Sequence, residues 1–178
     1  MADVLTLPTE RLSLRPYLLE DVDFVLDMYS RPEVQRYLGR APRLMVDRDE
    51  ALERIERWSA LDDPVCGFWL AQDKSTGERL GTLLLVDLPA SGSGEPSGEI
   101  EIGWHLHPDA WGRGIATEAG SAVLAHAFAR GLDHVLAVVK PDNIASQRVA
   151  ERIGMRSLGP TNDYYDVECI LFRIDSSI

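Results

Sequence analysis

Residues 99–119 read EIEIGWHLHPDAWGRGIATEA, and this stretch decides the fold. Its first part alternates. Ile100, Ile102, Trp104 and Leu106 share one parity, while Glu99, Glu101, His105 and His107 share the other. That period of two predicts a strand with one core-facing side and one polar side. Glycines at 112 and 114 follow, and a helical pattern then runs from Ile115 to about Arg130, closed by Gly131. A strand that enters a helix through a glycine loop exposes backbone N–H groups at the positive end of the helix dipole. Such an end suits a phosphate.

The glycines alone leave the ligand open. A nucleoside-triphosphate loop ends in Gly-Lys-Ser/Thr, and Gly114-Ile115-Ala116 has no lysine. A dinucleotide fingerprint needs a third glycine where Thr117 stands, and Pro108 to Trp111 separate the strand from the first two. A tight turn without any ligand is the remaining reading.

Working outward, residues 11–17 alternate as a strand. Val22, Val25, Leu26 and Tyr29 fall at i, i+3, i+4 and i+7, which predicts a helix over residues 20–30. Pro32 interrupts it, and a short helical piece continues to Leu38. Asp47 and Glu50 form a capping-box start for a helix reaching about Leu61, with Leu52, Ile55 and Trp58 on its apolar side. Strands are expected at residues 66–72 and 79–88, joined by a turn containing Gly77. The low-complexity run PASGSGEPSG, residues 89–98, reads as a mobile surface loop. A strand at residues 135–139, a helix capped by Asn143 and ending at Gly154, and strands at 155–158 and 166–174 complete the chain. The expected fold is α/β (α+β): one domain over residues 1–178, with a single mixed, mostly antiparallel sheet of about seven strands and helices on both faces.

Composition bounds the function. The chain has 178 residues, 45% hydrophobic and 26% charged, as expected of a folded globular domain. No apolar run reaches the roughly 18 residues of a membrane helix, and no signal-peptide core is seen, so a cytoplasmic protein without a membrane partner is expected. Net charge is −11, which argues against nucleic acid as a partner and is compatible with a cationic amine. Cys66 and Cys169 form no metal-spaced cluster; both are expected to be reduced and buried, and no metal is expected.

The residues around the loop narrow the ligand. Trp111-Gly112-Arg113-Gly114-Ile115-Ala116 resembles the acyl-CoA-binding motif of the GNAT superfamily of N-acetyltransferases, Gln/Arg-x-x-Gly-x-Gly/Ala. Tryptophan at its first position is familiar in the ribosomal-protein N-acetyltransferase (Rim) type. TERLSLRP at residues 9–16, Glu101-Ile102-Gly103-Trp104, Ala116-Thr117-Glu118-Ala119, and the run from Asn143-Ile144-Ala145-Ser146 to Ile153-Gly154-Met155 resemble that type in the same order.

The resemblance implies a GNAT-like acyl-CoA N-acyltransferase fold, acetyl-CoA as cosubstrate and an amine as acceptor. It places the CoA pyrophosphate on the backbone of Arg113, Gly114, Ile115, Ala116 and Thr117, beside Trp111 and Gly112. It also implies that the central strand splays from the next parallel strand. The pantetheine arm then lies in the gap, against backbone groups of His105, Leu106 and His107 and against Asn143.

The implied reaction, attack of a neutral amine on a thioester, needs a group to take the amine proton and another to support the leaving thiolate. At pH 7 an α-amine costs roughly 1 kcal/mol to deprotonate and a lysine roughly 4–5 kcal/mol. Glu101 is the first candidate base, directly or through water; His105 is the second. Many GNAT enzymes carry a tyrosine acid seven residues after the asparagine, but Ala150 stands there. Ser146 occupies the place that serine takes in Rim-type proteins, in the first helical turn, and the thiolate role is assigned to it by that resemblance. The acceptor is expected to be a protein or peptide α-amine, with a small amine as the alternative. A CoA-binding module without catalysis is the rival of a different class. Trp58, Trp69, Tyr164 and Tyr165 are residues that could line a cleft, the tryptophans being better suited to the core.

Overall fold

Alternation in the quoted stretch produces a central strand, and the rest of the fold is arranged around it. The computed structural model describes residues 5–177. In chain order the elements are β1 (Leu7–Pro8), β2 (Leu12–Arg15), α1 (Val22–Tyr29), α2 (Pro32–Gln35), α3 (Arg48–Ser59), β3 (Gly67–Asp73), β4 (Arg79–Pro89), β5 (Pro96–Leu106), α4 (Ile115–Ala129), β6 (His134–Val139), α5 (Ile144–Arg152), β7 (Arg156–Thr161) and β8 (Cys169–Asp175). They form one open sheet in the order β1-β2-β3-β4-β5-β6-β8-β7. Among the described residues, only β5 and β6 pair in parallel. The sheet thus has eight strands where about seven were expected. The addition, β1, is a two-residue strand containing a proline, too short to show a period, and it is held by pairing Leu7 with Leu14.

Helices cover both faces, as strand β3 shows residue by residue. Trp69 and Ala71 pack in the core under α4, with Leu12, Leu83, Leu85 and Ile102. Leu70, of opposite parity, packs with Val25, Met28 and Tyr29 of α1 and Ile55 of α3. The β5 parity also holds: its register with β4 is unbroken from Ile100 to Leu106. Ile102 belongs to the α4 core, and Trp104 lies 3.9 Å from where a Cβ on Gly120 of α4 would stand. His105, on the opposite face, meets Tyr29 of α1 edge-on.

Local signals placed the helix ends. The Asp47 carboxylate accepts the Glu50 N–H at 2.9 Å at the start of α3. The reciprocal arm of this cap goes to the Val46 N–H rather than to Asp47 itself. Asn143 caps α5 through the Ser146 N–H at 3.1 Å. Gly131 closes α4 with φ 92°. Both cysteines are free and buried, and burial pushes the Cys66 thiol up to about 12.

The low-complexity run is not a free loop. Pro89 pairs with Pro96 across a hairpin, and Ala90 bridges Tyr164. The Ser91 N–H donates to the Asp163 carbonyl at 2.7 Å and the Ser91 hydroxyl to the Asn162 carbonyl at 2.7 Å. The Gly92 N–H donates to Asp166 at 2.7 Å. Small residues here let two backbones dock, a use of glycine and serine that composition does not distinguish from a linker.

Candidate active site

Strands β5 and β6 share a single registered pair, Glu101 with Leu136, and then part. A cavity of about 290 Å³ lies at this opening. Its floor is β5 from Glu101 to His105 and β6 from Ala137 to Val139. Residues Tyr37 to Gly39, after α2, close one side, and Tyr165 and Val167, before β8, close another.

Backbone direction in the gap follows from the β4 ladder. The His107 N–H donates to the Leu80 carbonyl at 2.9 Å. Hydrogen-bonding direction alternates along an antiparallel strand, so the backbone groups of Trp104 and Leu106 turn toward β6 and those of His105 toward β4. The Leu106 carbonyl already accepts the Trp111 indole at 3.1 Å. His107 is fully used elsewhere. Its carbonyl accepts the Ala110 N–H, and its ring contacts Asp27 at 2.9 Å and the Asp109 N–H at 3.2 Å. Of the three residues expected to offer backbone to a ligand, only Leu106 faces the gap. The short 3-10 turn Pro108–Ala110, which sequence periodicity does not show, accounts for His107.

Glu101 is buried on the cavity wall. Burial pushes its carboxyl up to about 8. The Tyr165 hydroxyl donates to its Oε1. Tyr165 and Asp166 both sit in the left-handed region, at φ 57° and 54°. That turn is held by Ser91 and Gly92, as described above. Sequence reasoning named Tyr165 only as a residue that could line a cleft; its partner is remote in sequence and left no local signal.

His105 takes a different state from Glu101. Burial, with the positive charge of Arg54, lowers it to about 4, so the ring is neutral across the physiological range. Its Nδ1 lies 2.9 Å from the Tyr29 hydroxyl, and the Thr82 hydroxyl lies 2.9 Å from Tyr29 and 2.6 Å from Tyr17. This chain of hydroxyls fixes the ring against the cavity.

Helix α5 brings Asn143 and Ser146 to the same cavity. Ala150, one turn further, is completely buried in the core, so the helix has no tyrosine and no room for one there. At the far end of β5 the glycine loop turns into α4. Gly112 and Gly114 take φ 72° and 75°, a region L side chains rarely adopt. No side chain caps α4, which leaves its first N–H groups without a side-chain partner. Trp111 is exposed, Ile115 and Ala116 are buried, and Thr117 is partly buried.

Arg113 does not project as a free cation. It pairs with Glu78 at 3.3 Å, and its carbonyl accepts from Arg11 at 3.1 Å. Arg11 also pairs with Glu118 at 2.7 Å, and the Arg11 N–H and the Thr9 hydroxyl donate to the same carboxylate. Glu118, in the first turn of α4, thus ties the turn between β1 and β2 to the start of that helix. Arg11 is a loop-bracing residue that the sequence did not identify.

The site suits the group that the resemblance implies. Trp104 is one of the residues that line the cavity, and its indole Nε1 is buried with no partner among the described residues. Backbone groups left unpaired where β5 and β6 part fit an amide-bearing arm such as pantetheine. The uncapped, glycine-bounded start of α4 fits a pyrophosphate.

Comparison with known proteins agrees with this geometry. The uncharacterized N-acetyltransferase YoaA of Bacillus subtilis is 31% identical over 160 residues, 89% of this chain and 86% of that protein. The FsC-acetyl coenzyme A-N(2)-transacetylase of Aspergillus fumigatus is 28% identical over 169 residues, 90% of this chain and 69% of that protein. Mycobacterium smegmatis RimJ, solved in complex with CoA-disulfide, shares the fold: TM-score 0.77 at 19% identity, over 97% of this chain and 88% of that one. The family described as acetyltransferase (GNAT) domain matches residues 11–156, and the chain therefore belongs to the GNAT family of N-acetyltransferases.

Proposed function

We propose that this acetyltransferase acts on a primary α-amine, such as a protein or peptide N-terminus, with Glu101 as the base and Ser146 supporting the departing thiolate. One observation carries the reading. Glu101 is a buried carboxyl on the cavity wall, pushed up to about 8. An α-amine titrates at about 7.7–8.0, so proton transfer between the two is close to balanced. A lysine at about 10.4 lies more than two units above Glu101, which makes the same transfer uphill by about 3 kcal/mol.

Acetyl-CoA supplies the reactive thioester. The chain supplies the rest. Glu101 takes the amine proton at Oε1 or Oε2, and the Tyr165 hydroxyl orients that carboxyl. His105, neutral and fixed by Tyr29, shapes the wall and is the weaker base. Ser146 and the positive end of α5 support negative charge on sulfur. Leu106 and Trp104 offer donors along the gap, Asn143 stands beside them, and the backbone of residues 112–117 receives the pyrophosphate, with Trp111 at its edge. No described helix is long and apolar enough to cross a membrane; the proposed setting is the cytoplasm.

A small-amine acceptor is the second reading, favoured by the relative named as an N(2)-transacetylase. Thiol release from acetyl-CoA, measured over a panel of peptides and small amines, tests both. The α-amine reading expects release with free N-termini and little with N-blocked lysine peptides. Transfer confined to lysine side chains, or to no amine, is the result against it.

A further inference from the structure

His105 lines the cavity at the end of a buried row of hydroxyls. The Tyr17 hydroxyl lies 2.6 Å from that of Thr82, Thr82 lies 2.9 Å from Tyr29, and Tyr29 lies 2.9 Å from Nδ1 of His105. Tyr17, Thr82 and Tyr29 are all buried, and among the described residues their hydroxyls reach no other acceptor. Burial pushes Tyr29 up to about 12 and Tyr17 up as well, so both phenols keep their protons.

The proton count then decides the state of the ring. Three contacts take up three protons, one from each hydroxyl: Tyr17 donates to Thr82, Thr82 to Tyr29, and Tyr29 to Nδ1. A fourth proton, on Nδ1, would leave one buried O–H without an acceptor, which is costly. Nδ1 is therefore bare, and in the neutral ring the proton sits on Nε2.

Nε2 has no partner among the described residues, yet it is not buried: among them only Trp104 Nε1 is a buried side-chain nitrogen or oxygen without one. His105 thus offers the cavity a fixed N–H, with its lone pair turned to Tyr29. That proton takes the open nitrogen out of competition with Glu101 for the amine. Gly103 lies between Glu101 and His105 on the same side of β5 and carries no side chain, so the floor between carboxyl and N–H is bare. Four residues of strand separate the two, about 13 Å. With a hydrogen bond of about 2.9 Å at each end, about 7 Å remain for the acceptor, the advance of two residues of extended peptide.

We propose that the acceptor is a peptide of at least two residues, its amine at Glu101, its backbone crossing Gly103, and the carbonyl of its second residue accepting from Nε2–H of His105. This rests on the α-amine reading above and names the acceptor's class within it. A polyamine has only donors to set against that N–H, a mismatch that disfavours binding.

Two measurements test it. Proton–nitrogen spectra of the wild-type protein labelled with nitrogen-15 histidine, taken near neutral pH, report which ring nitrogen of His105 carries the proton. The signals of His105 are those missing in His105→Phe and displaced in Tyr29→Phe. A protonated Nε2 and a bare Nδ1 are expected. Adding CoA with a dipeptide amide, a pair that does not react, should shift the Nε2 resonance, and acetyl-CoA alone should leave it in place. In kinetics at saturating acetyl-CoA, kcat/KM for a dipeptide amide should exceed that for the amide of its first amino acid by about fivefold or more. That ratio should approach one in His105→Phe and fall in Tyr29→Phe, which frees Nδ1. A proton on Nδ1, an Nε2 that responds to acetyl-CoA alone, or a ratio that survives in folded His105→Phe overturns the proposal. Absence of transfer to every α-amine, with the tautomer as expected, instead sinks the reading on which it rests, and the peptide assignment with it.

Discussion

The hydroxyl of Tyr165 donates to Oε1 of Glu101, so the residue that closes the cavity from the β7–β8 turn also holds the buried carboxyl on β5. A donor to a carboxylate favours its ionised form. Tyr165→Phe should therefore raise the protonation point of Glu101 further. The ascending, acid-side limb of kcat should move up by about one unit, with turnover at neutral pH down about tenfold. A pH–rate profile on the variant checks this, and an unmoved limb counts against the pair.

The Tyr165 turn is supported from outside the site. Two consecutive non-glycine residues at positive φ carry a conformational cost of order 1–3 kcal/mol each, which surrounding contacts must offset. Ser91 supplies contacts to residues 162, 163 and 166. Ser91→Ala should lower kcat several-fold while leaving the affinity for CoA nearly intact. In a Tyr165→Phe background the same substitution should have little further effect, and a double-mutant cycle measures that coupling.

Ser146→Ala should lower turnover more than it raises KM for acetyl-CoA. The N–H that caps the helix belongs to the residue 146 backbone and survives the change. Steady-state kinetics at saturating acetyl-CoA separate the two parameters. Wild-type turnover in the variant removes Ser146 from the chemistry.

Arg11 sets the glycine loop through the Arg113 carbonyl and Glu118. Its side chain is half exposed, so Arg11→Ala should cost only about 1 kcal/mol of stability. The larger effect should be on CoA, whose Kd by calorimetry is expected to rise about tenfold, with kcat changed less. A Kd equal to that of the wild type would show that the loop holds its shape without the brace.

Local patterns carried the fold, and remote contacts carried much of the site. Period-two alternation from Ile100 to Leu106 placed Glu101 and His105 on one side because no bulge interrupts the β4 register. Asp47, Asn143 and Gly131 marked helix ends through capping, which involves only near neighbours. By contrast, Arg113 meets Glu78, Arg11 meets Glu118, and Ser91 meets the turn before β8, all across long stretches of chain. Periodicity is blind to such pairs. The same holds for His107, whose parity is right but whose polar groups are consumed by Leu80, Ala110 and Asp27.

The central claim is that Glu101 takes the amine proton. Burial holds the Glu101 carboxyl protonated up to about pH 8, so kcat should rise with pH through that value as the base ionises. The folded protein then keeps a proton, between about pH 4.5 and 8, that the unfolded chain releases. Stability therefore falls as pH rises through that window, and Glu101→Gln should unfold no more easily than wild type above pH 8. The decisive measurement is the pH dependence of kcat for folded Glu101→Gln beside wild type, at saturating acetyl-CoA and α-amine. The account predicts a loss of about 100-fold or more near neutrality and a limb that is shallower by one proton. Wild-type turnover with an unchanged limb would contradict it.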